Sequence, residues 1–237
     1  MPASRTRRAL DWCAVAGSVL FTVASFVAWS AQDVYSPRRE DISSLAAVDA
    51  QQAWIMIAGI VALGLGLLAL GLGLRGMIHD GRSATVGPIL LVLTGLSFVA
   101  AGFARNDCSS ELQACRERVN SGDVSWHHGL HDLVGVAAFV FLVIAPLVFA
   151  RAFRTDSHWS NLRPYSLATG VLALALLLVF AVEPFDGWNG LVQRILLAVL
   201  LVWVVVLGTR LAQIAGVEAA PRAPLARAPS GTSPHAG

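Results

Sequence analysis

The sequence predicts an all-α fold, a polytopic bundle of six transmembrane helices, and three observations support this fold class. Of the 237 residues, 56% are hydrophobic and only 14% are charged, whereas soluble domains usually carry about 25% charged residues. The mean hydropathy is +0.65. The apolar residues form long continuous blocks instead of the alternating pattern of a membrane β-barrel. Because lipid cannot satisfy exposed backbone amides, such blocks cross a membrane as helices.

Six apolar blocks are long enough to span the hydrocarbon core, which needs roughly 20 helical residues. They are residues 9–30, 53–74, 84–104, 128–150, 164–182 and 190–214, within one transmembrane domain of residues 1–215. Residues 216–237 are rich in Ala, Pro and Ser, which predicts a disordered tail. The first block has a second interpretation as a signal peptide, since Ala28-Trp29-Ser30 resembles a cleavage site. Its apolar stretch is longer than the roughly 7 to 15 residues usual in such signals.

The arginines predict how the helices are oriented in the plasma membrane. All 17 basic residues are arginine, and Arg194 lies inside the sixth block. One side of the membrane holds Arg5, Arg7, Arg8, Arg75, Arg82, Arg151, Arg154, Arg163, Arg210, Arg222 and Arg227, and the other holds Arg38, Arg39, Arg105, Arg116 and Arg118. Cytoplasmic loops carry the excess of basic residues. Both termini and the tail are therefore predicted to be cytoplasmic, and the loops of residues 31–52 and 105–127 to face outward.

Polar motifs recur on the side predicted to face outward. They are Tyr35-Ser36-Pro37 with Asp41-Ile42-Ser43, the stretch from Gly102 to Asp107, Gly129-Leu130-His131-Asp132, and the stretch from Gly190 to Arg194. In this order, over about residues 10 to 212, they resemble the family named domain of unknown function 998, which comprises six-helix membrane proteins of bacteria and archaea. Members often have Phe-Pro in the second motif, where Phe103 is here followed by Ala. The resemblance implies the fold and no activity.

We expect one polar site near the outer membrane interface. Its predicted binding residues are Asp41, Ser43, Asp107, His131 and Arg194. Ionisable groups in membrane segments usually face the bundle interior. At 100° per residue, His131 shares a helix face with small residues, whereas Asp132 points to a bulkier, lipid-facing side. Arg194 either extends to the interface alone or pairs with a buried carboxylate such as Asp107 or Glu183.

The same loops contain candidate residues for a metal site and for a disulfide. His127 and His131 are spaced by four residues, and a carboxylate from Asp107 or Asp41 would complete a zinc site. A helical His-Glu-x-x-His motif does not accompany them, so no cofactor is predicted and zinc is the alternative. Cys108 and Cys115 lie in one outward loop, where an oxidising exterior permits a disulfide between them.

Three functions remain open, and the sequence does not decide whether the protein is an enzyme. The first is a membrane protein whose outward polar site is structural or binds a lipid or small molecule. The second is a membrane-embedded hydrolase of a lipid or lipid-linked substrate, with His131 as base or metal ligand and Asp107 as its catalytic partner. The third is a small-molecule permease, which the scarcity of ionisable residues near the midplane disfavours. The net charge of +2 is too small to indicate a nucleic-acid partner, and the lipid bilayer is the predicted partner.

Overall fold

The structure, a computed structural model, describes residues 3–78, 81–109, 112–182 and 187–218. Within these residues it contains seven α-helices and two 3₁₀ turns, with no strand. The helices are α1 (Ala3–Ser30), α2 (Ala53–Leu74), α3 (Gly81–Phe103), α4 (Gln113–Ser121), α5 (Trp126–Ala152), α6 (Arg163–Val182) and α7 (Asn189–Glu218). All but α4 are long and apolar enough to cross a membrane, giving six candidate spans. The all-α, six-helix prediction is therefore confirmed.

The helices differ from the predicted blocks mainly at their ends. The last helix continues to Glu218, past the predicted end at residue 214, and residues 219–237 of the predicted tail lie outside the described residues. The short helix α4 was not predicted, because its nine residues are polar and too few to span a membrane. It ends at Ser121, and the following Gly122 has a φ of 75°, in the left-handed region that glycine adopts after a helix.

The six long helices form a ring. Going around it, α1 packs on α2, α2 on α3, α3 on α5, α5 on α6, α6 on α7, and α7 returns to α1. Buried leucines fill the interior, among them Leu63, Leu67, Leu91, Leu142, Leu200 and Leu207. The first helix contributes Ala14, Phe21 and Ala28 to this core.

Glycines on α2 allow both of its neighbours to approach closely. A Cβ on Gly66 would lie 2.6 Å from the carbonyl oxygen of Cys13 in α1. A Cβ on Gly64, on another face, would lie 2.8 Å from the carbonyl oxygen of Gly95 in α3. Helices in lipid associate through such close van der Waals contact, since burial of apolar surface gives them no advantage over lipid.

The two ends of the ring differ in their connections. At one end, which we name the loop end, α1, α3 and α6 finish and α2, α5 and α7 begin. The segment between α1 and α2 and the segment containing α4 both lie there. The opposite end carries the α2–α3 and α5–α6 connections. Every predicted binding residue lies at the loop end, either in its segments or in the first or last turns of its helices.

Candidate functional site

A segment between α1 and α2 folds over the loop end of the ring. This cover segment, residues 35–48, contains the 3₁₀ turn Ile42–Ala46, in which Ser44, Leu45 and Ala46 are buried. On one side, the N–H of Leu191 in α7 donates to the carbonyl of Arg38 at 3.0 Å. On the other side, the N–H of Val48 donates to the carbonyl of Asn106, beyond α3, at 2.8 Å. The cover segment is thus fixed to parts of the chain that are distant in sequence.

Arg194 attaches the cover segment to α7. Its guanidinium donates to the carbonyl oxygens of Pro37 and Glu40, both at 2.8 Å, and to that of Gly190 at 2.9 Å. A Cβ on Gly190 would collide with the carbonyl oxygen of Glu40, so a side chain there would push the cover segment away. The sequence allowed either extension of Arg194 to the interface alone or pairing with a carboxylate. The structure instead gives it backbone carbonyls, and Glu183 lies outside the described residues.

Tyr35 completes this attachment. Its hydroxyl accepts a hydrogen bond from Arg194 and donates one to the carbonyl of Asp41 at 2.8 Å. Burial raises the pKa of Tyr35 to about 12, although the neighbouring Arg194 acts in the opposite direction. The phenol is therefore protonated at neutral pH and serves as a stable donor. The Tyr-Ser-Pro motif thus joins the cover segment to α7.

Arg105 attaches the other side of the cover segment. Its Nε donates to the carbonyl of Ala46 at 2.9 Å, and a terminal nitrogen donates to that of Ala47 at 2.6 Å. The carbonyl oxygen of Arg105 lies 2.9 Å from Nδ1 of His127. Arg105 was not among the predicted site residues, because an arginine beside the membrane interface is ordinary in sequence.

The histidines of α5 hold the loop that follows α3. Nδ1 of His131 lies 2.6 Å from the carbonyl oxygen of Ala104, and a carbonyl only accepts, so this nitrogen carries a proton. Nδ1 of His128 instead accepts the N–H of Asp107 at 3.1 Å. The Nδ1 atoms of His127 and His131 are thus each directed at a backbone carbonyl. In the described part of the chain, no group of three or more His, Cys, Asp or Glu residues is arranged to hold a metal ion, and zinc stays an alternative to the prediction of no cofactor.

Asp107 lies in a separate groove on the loop end. Its carboxylate accepts the N–H of Ser125 at 2.6 Å and the Ser125 hydroxyl at 2.7 Å. These two hydrogen bonds lower the pKa of Asp107 below its ordinary value. The groove is lined by Asp107, Ser125, Arg118 and residues near them. Next to Asp107 in the chain, Cys108 and Cys115 form a disulfide with a Cα–Cα distance of 5.8 Å. Asp107 is thus engaged by Ser125, and its predicted pairing with His131 or Arg194 is not formed here.

Three of the five predicted binding residues meet at one cavity beneath the cover segment. The cavity has a volume of about 230 Å³. Its polar lining comprises Asp41, Ser43, Asn106, His131, Asp132 and Gln193. Its apolar lining includes Phe21, Ile60, Phe98, Phe139, Phe180 and Leu197, one from each long helix of the ring. We name it the central cavity; it is polar toward the cover segment and apolar along the helices.

Two residues of this cavity, Asn106 and Gln193, were not among the residues predicted from the sequence. The Oδ1 atom of Asn106 is buried and has no hydrogen-bond partner. A buried acceptor left unsatisfied costs about 1–3 kcal/mol. Gln193 is 4% exposed, and its Oε1 accepts the N–H of Ile42 at 2.7 Å. Polar residues are rare within apolar membrane segments. The position of Gln193 inside the sixth apolar segment, directly before Arg194, was therefore a sequence signal for a role in the site.

The central cavity opens at the surface of the ring beside α5. Val136 lines the cavity and is 64% exposed. The neighbouring Asp132 side chain is 61% exposed, whereas His131 is buried. This confirms the prediction that His131 faces the interior and Asp132 the outside. The opening lies on a face of the ring that carries other exposed apolar side chains, such as Leu133 and Val140.

Comparison with known proteins gives one match. The model of a family described as "Protein of unknown function (DUF998)" matches residues 15–210. The matched range includes both arginines that attach the cover segment and all polar residues of the central cavity. No curated protein and no solved structure matches the chain.

Proposed function

The chain belongs to the DUF998 family, whose function is not known, and we propose that its central cavity binds a small amphiphile whose head group donates hydrogen bonds. The observation that carries this proposal is the buried, unpartnered Oδ1 of Asn106, a residue that lines the cavity. Buried polar groups in native proteins are almost always satisfied by protein, water or ligand. A ligand that donates a hydrogen bond to Asn106 would remove the cost of leaving it unsatisfied.

Two other polar groups of the cavity, on Asp41 and His131, also favour a donating head group. The Asp41 carboxylate only accepts when ionised. His131 uses Nδ1 as a donor to Ala104, so its second ring nitrogen accepts when the ring is neutral. An alcohol or a protonated amine supplies donors to these groups. A phosphate or carboxylate would instead place acceptors against acceptors, next to the charge of Asp41.

The apolar lining and the lateral opening support an amphiphile from the bilayer. Ligand pockets commonly measure about 300–1,000 Å³, so a cavity of about 230 Å³ suits a small molecule or the head of a longer one. Exposed Val136 lies at the opening. A hydrocarbon tail therefore stays in contact with apolar surface while the head group reaches Asn106.

The sidedness of the protein is part of the proposal. The arginine asymmetry supports cytoplasmic termini in the plasma membrane, so that the loop end faces outward. The disulfide between Cys108 and Cys115 supports the same sidedness, because disulfides persist in oxidising surroundings. On this orientation the central cavity draws its ligand from the outer leaflet.

We propose binding in place of hydrolysis because the catalytic pair is separated. A hydrolase needs base and partner within hydrogen-bond reach. Here Asp107 accepts from Ser125 in one groove, while His131 lines another cavity and donates to a backbone carbonyl. The groups that face the central cavity are suited to recognising a head group, and the His131 nitrogen that a partner carboxylate would orient is instead bonded to the Ala104 carbonyl.

The test uses three probes that share one tail, n-octylamine, n-octanol and n-octanoate. We expect the amine and the alcohol to raise the melting temperature of the purified protein in maltoside micelles, and octanoate to have little effect. Asn106→Leu should lose this response while leaving the unliganded protein as stable as before or more so, since it removes the unsatisfied acceptor. Asp41→Asn should weaken binding of the amine about tenfold and leave binding of the alcohol unchanged, since a charged hydrogen bond contributes about 1.5–3 kcal/mol.

A matched control separates the cavity from general surface charge. Asp123→Asn removes the same charge from a side chain that is 82% exposed and lies outside the central cavity. It should leave all three responses unchanged. Equal responses to the three probes, or an undiminished response in Asn106→Leu, would refute the proposed ligand class.

A further inference from the structure

A second cavity, at the opposite end of the ring, is surrounded by arginines. It has a volume of about 340 Å³ and lies between the start of α3 and the end of α5. Its lining residues are Gly81, Arg82, Ser83, Arg151, Arg154 and Thr155. None of these lining residues is acidic, and all belong to the described part of the chain. We name it the arginine cavity.

Its chemistry suits an oxyanion. Guanidinium groups bind phosphate with two parallel hydrogen bonds, and Arg82, Arg151 and Arg154 surround one space. Ser83 and Thr155 add hydroxyl donors. The first turn of α3 also lines the cavity, and the first amides of a helix have no partner within it. Such amides bind phosphate readily, with the positive end of the helix dipole.

Stabilisation of helix ends by their dipoles accounts for only part of this arrangement. Arg151 lies in the last turn of α5 and Arg154 just beyond it. Cations there stabilise the helix by opposing its dipole. Arg82 lies at the start of α3, where a cation is unfavourable for the same reason. An anion in the arginine cavity would balance the positive charges of all three arginines and the positive end of the α3 dipole together.

We propose that the arginine cavity binds a phosphate group, supplied either by the head group of an anionic phospholipid in the adjacent leaflet or by free phosphate. Basic pockets between transmembrane helices are suited to anionic head groups. The three arginines are exposed, so a head group at the interface reaches them without rearrangement of the ring. This site is independent of the central cavity, which lies at the loop end.

The experiment uses the full chain in maltoside micelles, which contain no phosphate. The probes are phosphatidylglycerol, diacylglycerol with the same tails, and inorganic phosphate. Native mass spectrometry measures lipid affinity, and thermal melts measure stabilisation. We expect Arg151→Gln/Arg154→Gln to weaken binding of phosphatidylglycerol about 25-fold, taking roughly fivefold for each guanidinium that no longer donates a charge-assisted hydrogen bond to the phosphate. Arg75→Gln/Arg163→Gln removes the same charge at the same end, outside the cavity, and should have little effect.

Arg82→Gln provides a second and sharper variant. It should weaken binding of phosphatidylglycerol about fivefold and yet make the lipid-free protein no less stable, because it removes a cation from the start of α3. Stabilisation by inorganic phosphate that both cavity variants abolish would support the site and assign it to free phosphate. Equal losses in the cavity and control variants, or equal binding of diacylglycerol, would overturn the proposal.

Discussion

Replacing Arg194 tests whether the cover segment is held by specific hydrogen bonds. Arg194 donates to two carbonyls of the cover segment and to the Tyr35 hydroxyl. Hydrogen bonds to charged groups contribute about 1.5–3 kcal/mol each, and desolvation of the guanidinium offsets part of this sum. We therefore expect Arg194→Ala to lower the free energy of unfolding by about 3 kcal/mol. Tyr35→Phe loses the neutral bond to Asp41 and the charged bond from Arg194, and after the same offset this should cost about 2 kcal/mol.

The double variant and a lysine substitution distinguish attachment from simple extension to the interface. Because Arg194 and Tyr35 contact each other, their losses should be non-additive by about 1 kcal/mol. Arg194→Lys keeps the charge and the long stem but not the planar fork, so it should still cost about 2 kcal/mol. The assay is denaturant titration in mixed micelles, with hydrogen exchange at the Ile42 amide as a local readout. If the losses are additive and the Arg194→Lys variant is as stable as the wild type, Arg194 only extends to the interface.

Three further outcomes are expected. Gly190→Ala should lower the free energy of unfolding by about 1–3 kcal/mol in the same titration, because a Cβ there meets the cover segment, whereas Gly129→Ala, where a Cβ meets nothing within 4 Å, should not. The depressed pKa of Asp107 means that its ionised form stabilises the fold above its ordinary pKa of 3.8 and that this stability is lost as pH falls through the lower folded-state pKa. The loss of unfolding free energy in Asp107→Asn should therefore be largest near neutral pH and should shrink in acid. A loss that does not change with pH would exclude this coupling between the ionisation of Asp107 and stability. In a variant without native cysteines, an impermeant thiol reagent should label Ser121→Cys and not Ser83→Cys on intact cells, and the reverse pattern would invert the proposed orientation.

The membrane helices were predictable because one strong physical constraint governs them. A chain in lipid must satisfy every backbone amide, so apolar length alone identifies a span. The same constraint says nothing about polar loops, where α4 and the 3₁₀ turn Ile42–Ala46 form. The turn depends on contacts with residues more than fifty positions away, such as those from Arg105 to Ala46. Local sequence carries no record of them.

The orientation of side chains on a helix was also predictable from the sequence, whereas the backbone partners of Arg194 were not. Helical periodicity placed His131 inside and Asp132 outside, because neighbouring positions on a helix point in different directions. The partners of Arg194 were not predictable in the same way. Sequence reasoning searches for carboxylates, whereas the structure uses backbone carbonyls, which every residue carries. A carbonyl partner leaves no residue type to recognise, so only the fold reveals it.

The two arginines that hold the cover segment also bear on how a ligand reaches the central cavity. Raising the cover segment requires breaking the bonds of Arg105 to Ala46 and Ala47 and those of Arg194 to Pro37 and Glu40. The opening beside α5 requires no such rupture, since an exposed side chain already lines the cavity there. The energetically easier path therefore runs through the side of the ring, from the bilayer. On this path the cover segment would exclude water at the loop end while the proposed amphiphile exchanges laterally, so the rigid attachment of the cover segment is compatible with the proposed binding.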